Sequence, residues 1–212
     1  MTVKQKRDDA EARRRHILDE AIRIIGQRGY HGFTVQQVAQ ACGLTNGGLL
    51  YHFGSKEQLL VAVLEERDRR YAQIVSADVD LCAEEAEGTG IYVRAAVLQL
   101  LRAIMARSVA EPEIMRLFTV LQSEALDAEH PAHAYFRRRE AMVLDEFAAM
   151  LTGHAPNPRA TARQVLALLD GLAQQWLREN GGFDLLAEWD AVMTLLLPSA
   201  GDTAPAANAI GT

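Results

Sequence analysis

The chain has 212 residues and a mass of 23.3 kDa, with 49% apolar and 24% charged residues, which excludes a wholly disordered chain and allows one large domain or two small ones. Cys42 and Cys82 are the two cysteines, too few for a disulfide framework; no apolar run reaches the roughly 18 residues of a membrane helix, and the opening MTVKQKRDDAEARRR lacks a signal-peptide core, so a cytoplasmic address is expected. The net charge of −6 conceals an asymmetry: residues 1–56 sum to +4 and residues 57–212 to −10, so an anionic polymer would meet only the first quarter of the chain.

Helical spacing dominates. From about Asp9 to Gln27, Ile17, Ala21, Ile24 and Ile25 share one face, and Gly29 ends the segment. Thr34 with Gln37 has the form of a capping box and opens a short helix ending near Ala41. Cys42, Gly43 and Leu44 make a turn, after which Thr45 caps a third helix running to Phe53. Ser55 with Gln58 forms a second capping box, opening a long helix through Leu60, Val63, Leu64, Arg67, Tyr71 and Ile74.

A Gly-Thr-Gly loop at 88–90 precedes a helix over 91–110. Pro112 and Pro131 suit the first turns of the next two helices, the second of which extends to Leu151. Asn157 before Pro158 opens a helix to Arg178, broken by Gly181 and Gly182, and Asp184 begins the last helix, ending by Leu197. From Pro198 the chain is small and polar, as in a mobile tail. The pattern predicts an all-α protein of about nine helices, without strands.

Residues 34–53, TVQQVAQACGLTNGGLLYHF, concentrate the functional signal. Helix, a short turn containing Gly43, then helix is either a hairpin within a bundle or a DNA-reading helix-turn-helix. Val35, Val38 and Ala39 of the first helix can pack on Leu44 and Leu49. The first turn of the second helix favours the DNA reading. Gly47 and Gly48 follow Asn46 there, although each glycine costs a helix about 1 kcal/mol relative to alanine. Small residues would let the backbone approach a groove closely. Tyr51, His52 and Lys56 then supply donors within reach of phosphates, unless the two aromatics are a half-buried packing pair. Asn46, helped by Gln36, can address base edges.

Residues 13–63 resemble the N-terminal domain of the TetR (tetracycline-repressor) family. The resemblance lies in G-Y-x-G-F-T at Gly29–Thr34, A-x-x-x-G-L-T at Ala39–Thr45 and L-L-Y-H-F-G-S-K-E at Leu49–Glu57; Leu50 stands where the family often has tyrosine. It implies a three-helix DNA-binding domain, a connecting fourth helix and a larger ligand-sensing, dimerising domain. By position it makes Thr34, Gln36, Thr45, Asn46, Gly47, Gly48, Tyr51, His52 and Lys56 DNA contacts. The expected domains are 1–55 for DNA binding with a basic N-terminal arm, 56–197 for ligand sensing and dimerisation, and 198–212 as tail. Arg13–Arg15 are then an arm over the DNA backbone or part of a disordered tail.

The segment over 168–180 looks like the dimer-forming penultimate helix of several family members. Val165, Leu168, Leu169, Leu172 and Trp176 make one apolar stripe, continued on the last helix by Leu185, Trp189, Val192 and Leu196. The alternative is that these stripes face the monomer core. Candidate ligand residues are Met105 and Phe118, among methionines and phenylalanines at helical spacing, with Gln99 and Gln122 as polar anchors.

Glu129, His130 and His133 lack a fourth neighbouring ligand and are read as structural, and Arg137–Arg139 as a solvated face. No nucleophile elbow, phosphate loop or H-E-x-x-H pattern occurs, so no enzyme, metal or cofactor is expected. The sequence reads as a homodimeric regulator on a near-palindromic duplex, a repressor released by a small apolar or amphipathic effector. Alternatives are an activator, a ligand-independent regulator, or a helical small-molecule-binding protein whose 34–53 hairpin packs internally.

Overall fold

The computed structural model describes the backbone of residues 3–82 and 93–198, and the side chains of 10–70, 72 and 93–198. Among the described residues there are nine helices and no strand: α1 Val3–Gly32, α2 Val35–Ala41, α3 Asn46–Phe53, α4 Lys56–Cys82, α5 Arg94–Ala110, α6 Pro112–Glu124, α7 His133–Met150, α8 Pro158–Arg178 and α9 Leu185–Leu196. The expected loop at 88–90 and the tail from 199 onward lie outside the described residues, as do the side chains of Tyr71, Ile74 and Cys82. Among the described residues no helix is long and apolar enough to cross a membrane.

Local chemistry explains most boundaries. At α2 both arms of the capping box form: Gln37 N–H donates to Thr34 Oγ1 (3.2 Å), and Thr34 N–H donates to Gln37 Oε1 (3.0 Å). The turn after α2 is a Schellman motif. Leu44 N–H reaches the Ala39 carbonyl (2.8 Å) and Gly43 N–H that of Gln40 (3.1 Å), while Gly43 sits at φ 65, where a side chain would be strained. Thr45 Oγ1 accepts from Gly48 N–H (3.1 Å), and Ser55 Oγ from Gln58 N–H (3.1 Å). Asn157 caps α8 by accepting from Ala160 N–H, and Asp184 caps α9 by accepting from Leu186 and Ala187.

Two boundaries differ from expectation. Helix α1 begins at Val3 rather than near Asp9, because the charged stretch before Ile17 holds no proline or glycine to break it; its backbone leaves helical geometry at Gly29. Helix α7 begins at His133, and Pro131 lies in the turn before it. There the backbone N–H groups are taken by the turn itself: His130 donates to the Asp127 carbonyl, His133 to the His130 carbonyl, and Ala132 to the His130 ring.

The chain divides into two compact units, Met1–Ala77 with Arg107–Met142, and Asp78–Ala106 with Val143–Thr212. This division does not fall at the expected boundary of 55/56, because α6 packs along α1 and joins the first unit. The core of that unit joins Ile17, Ala21 and Ile25 of α1 to Val38 and Ala39 of α2, Leu49 and Phe53 of α3, Leu59, Leu60 and Leu64 of α4, and Leu117 and Leu121 of α6. An ion-pair network also ties α1 to α4: Arg70 bonds both Asp19 and Glu66, and Glu66 bonds Arg69 (2.7 Å). Burial alone would raise the Glu66 carboxyl, but the Arg69 and Arg70 hydrogen bonds hold it below the usual carboxylate range.

In the second unit, Val97, Leu101 and Met105 of α5, Val165, Ala173 and Leu177 of α8, and Trp189 and Met193 of α9 are buried. Helix α8 packs on α9, and Arg102 of α5 pairs with Asp190 of α9 (2.9 Å). Arg94 donates to the Leu197 carbonyl just past the end of α9 (Nε, 3.1 Å).

The contact of α1 with α6 is backbone to backbone. A Cβ on Gly26 would stand 3.2 Å from Leu117 N and 3.3 Å from Glu113 O, atoms that cannot rotate aside. Gly26→Val should therefore destabilise the protein by about 1–3 kcal/mol through overpacking, despite the gain in helix propensity. Urea denaturation with an unchanged m-value would measure this; an equal or higher midpoint would mean the two helices can separate without cost.

Candidate nucleic-acid interface

Leu49 and Phe53 bury one face of α3, which orients the opposite face outward. Asn46 and Gly47 are exposed, as are Thr34, Gln36 and Thr45, and Tyr51 stands out at 88% exposure. His52 is half-buried with its ring edge-on to Tyr51 (5.7 Å between centroids), and Leu50 is half-buried.

The two glycines differ. A Cβ on Gly48 would stand 3.3 Å from Thr45 Oγ1, the atom that accepts Gly48's own N–H, so the cap itself favours a small residue there. A Cβ on Gly47 would meet nothing within 4 Å. No contact within the protein requires glycine at 47.

Lys56, the first residue of α4, is half-buried, its Nζ over the rings of Tyr30 (4.5 Å) and Phe33 (4.6 Å). Tyr30 in turn donates its hydroxyl proton to Glu57 Oε1 (2.9 Å). Burial first, and then that bond, push the Tyr30 phenol up to about 12. Hydrogen bonds from Ser55, the α4 backbone and Tyr30 hold the Glu57 carboxyl below its ordinary range. The sequence pattern missed this aromatic seat.

It also missed the seat of Arg14, whose guanidinium lies 4.5 Å from the centroid of the Phe53 ring at the end of α3. Arg13–Arg15 are exposed residues of helix α1, so at those positions the chain is helical rather than a disordered tail.

The candidate ligand residues are scattered. Gln99 is exposed, Met105 is fully buried in the second unit, and Gln122 is half-buried and Phe118 buried in the first. Phe118 has charged neighbours. Guanidinium carbons of Arg67 and Arg139 lie 3.9 and 4.7 Å from its ring centroid, and both arginines bond Asp68, which also accepts from the Tyr135 hydroxyl. Burial opposes ionisation of Asp68, but the Tyr135 bond and the two guanidinium groups hold its carboxyl below the ordinary range.

Of the stripe residues expected at a dimer interface, Val165, Leu185 and Trp189 are buried within their own chain, Trp189 at 1% exposure. They face the interior, because a helical stripe on a two-sided helix does not say which neighbour it meets. Leu168, Leu169, Leu172, Trp176, Val192 and Leu196 are half-buried, and Leu195, beside them in sequence, is 81% exposed. Of the set-aside residues, His130 accepts from Ala132 N–H and His133 Nδ1 bonds the Ala125 carbonyl (2.8 Å); among the described residues no cluster could hold a metal.

Comparison with known proteins agrees with this geometry. A family model described as "Bacterial regulatory proteins, tetR family" matches residues 17–63, which contain α2, α3 and the start of α4. The chain is 40% identical over 63 residues to the HTH-type transcriptional repressor AcnR of Corynebacterium glutamicum, a stretch covering 30% of this chain but only 34% of AcnR. It is 30% identical over 179 residues to the HTH-type transcriptional regulator BetI of Burkholderia ambifaria, covering 79% of this chain and 82% of BetI. Among solved structures, AibR in complex with isovaleryl coenzyme A and operator DNA superposes with a TM-score of 0.66 at 23% identity, over 88% of this chain and 98% of AibR. FadR from Bacillus subtilis, in complex with stearoyl-CoA, superposes with a TM-score of 0.69 at 16% identity, over 86% and 97%. A helix-turn-helix matched by the family model and likeness that extends over four-fifths of BetI make this chain a member of the tetR family of bacterial regulatory proteins.

Proposed function

We propose that the protein is a sequence-specific DNA-binding transcriptional regulator that acts in the cytoplasm as a homodimer, a repressor released from a near-palindromic duplex by a small amphipathic molecule. The observation that carries this reading is the outward face of α3, where Asn46 and Gly47 form an exposed first turn with open space before it. The second helix of a helix-turn-helix enters the major groove by its N-terminal residues, and two such helices in a dimer read half-sites one turn apart. AcnR's description as a repressor and AibR's structure with operator DNA support the same reading.

The effector reading rests on Phe118 and on the two neighbours solved with acyl coenzyme A. Two guanidinium groups beside an apolar ring suit a molecule with an apolar body and an anionic end better than a plain hydrocarbon. Such a molecule releases DNA if it binds the DNA-incompetent conformation more tightly. The dimer reading rests on α8 and α9, where half-buried Leu168, Leu172 and Trp176 and exposed Leu195 offer apolar surface.

Selection of duplexes from a random pool tests the central claim: enrichment of a near-palindrome is expected, and recovery of no preferred sequence removes it. On the recovered duplex, Asn46→Ala should cost about 1–3 kcal/mol and relax preference at one base pair per half-site. Lys56→Ala should weaken all duplexes alike and lower the salt slope by about one phosphate. Gly47→Leu should raise the melting temperature, since leucine is the better helix former, yet abolish binding; normal binding would show that this turn stays out of the groove.

For the dimer, sedimentation equilibrium of Trp176→Arg and Leu195→Asp should show folded monomers with weak duplex binding. Leu195 is the cleaner test, because its exposure leaves the fold of the protomer untouched. Fully dimeric variants would move the interface elsewhere.

A further inference from the structure

We infer that Glu124, the last residue of α6, is a positioning residue for the nucleic-acid interface, acting through Tyr30 on Lys56. The inference rests on the DNA-binding reading above. Glu124 does not belong to the helix-turn-helix, yet its carboxylate closes the joint on which Lys56 is seated.

The joint starts at Gly29. Its φ of 69 and ψ of 179 break the helical path of α1 and turn the following amide toward α6, where Glu124 Oε2 accepts the Tyr30 N–H at 2.7 Å. A short bond from a backbone amide to a carboxylate is among the stronger neutral-to-charged contacts a protein makes. A Cβ at Gly29 would collide with the same carboxylate, which would have to swing away from the amide.

Behind Glu124 stands His130 of the turn between α6 and α7. Ala132 N–H donates to His130 Nδ1 (3.2 Å), which assigns the remaining ring proton to Nε2, and Nε2 lies 3.7 Å from Glu124 Oε2. The His130 ring is buried and edge-on to Tyr30 (5.0 Å between centroids). Tyr30 is therefore held from two sides, at its amide by the end of α6 and at its ring by the turn that follows.

What Tyr30 holds in turn is the start of α4. Its hydroxyl bonds Glu57, and its ring face, with that of Phe33, carries the Lys56 ammonium. A displacement of the α6 end that released the amide would tilt the Tyr30 ring and unseat Lys56. The helix that lies along α1 would thus alter a phosphate contact without touching DNA.

A double-mutant cycle on the full chain tests this, with the selected duplex as probe and affinity measured against salt. Glu124→Met keeps the length of the side chain and removes the acceptor. It should weaken binding about tenfold, in the range of ordinary coupling between sites, and lower the salt slope by about one phosphate, as Lys56→Ala does. Glu124→Gln, whose carbonyl oxygen still accepts the amide, should stay within about threefold of wild type on the same scale. The double variant Glu124→Met/Lys56→Ala should bind no more weakly than the weaker single variant.

Unchanged affinity and slope in Glu124→Met, or losses that simply add in the double variant, would overturn the proposal. Should Glu124→Met melt below the assay temperature, Glu124→Asp withdraws the carboxylate from the amide while keeping its charge, and the same cycle applies. A wild-type chain that selects no duplex would instead refute the DNA-binding reading itself.

Discussion

The backbones of α1 and α6 approach so closely at Gly26 that even a Cβ there would crowd the Leu117 amide and the Glu113 carbonyl, and the first unit is organised around that approach. Helix α1 is a shared wall. One side chain set, Ile17, Ala21 and Ile25, enters the core that α2, α3 and α4 complete, and the same core takes in Leu117 and Leu121 of α6. The helix-turn-helix and α6 therefore lean on one rod. Close packing transmits displacement well because interiors have little void to absorb it.

What could be read from the sequence was local. Thr34 with Gln37, the Gly43 turn, Thr45, Asn157 and Asp184 each act on backbone groups within a few residues, and each forms the bond that its type and spacing imply. The outward position of Asn46 and Tyr51 follows from the same local reasoning, since Leu49 and Phe53 are the apolar residues of a short helix. The approach of α6 to α1 was not legible, because a glycine in a helix gives no apolar signal and its partner lies far along the chain. Apolar stripes were ambiguous for a different reason. Trp189 and Leu195 both lie on α9, one wholly buried and the other open to solvent, and spacing alone assigns neither a neighbour. The guanidinium groups beside Phe118 were missed because Arg67 and Arg139 lie on helices separate from Phe118 and from each other.

Adjacent glycines in α3 show how one residue type can answer two needs. Gly48 is explained by the cap that it completes with Thr45, while Gly47 has no neighbour to explain it. A pattern that counts both as the same signal overstates one of them. Lys56 makes a related point, since its charge faces two aromatic rings of its own chain as well as the outside. Charge tallies along the chain would treat it as one more surface cation.

A side chain at Gly29 would meet the Glu124 carboxylate, and the backbone there excludes one on its own account. Shortening residue 124 would open space at 29, but a backbone at φ 69 and ψ 179 is a conformation essentially confined to glycine. A library that randomises residue 29 should therefore recover glycine whatever stands at 124.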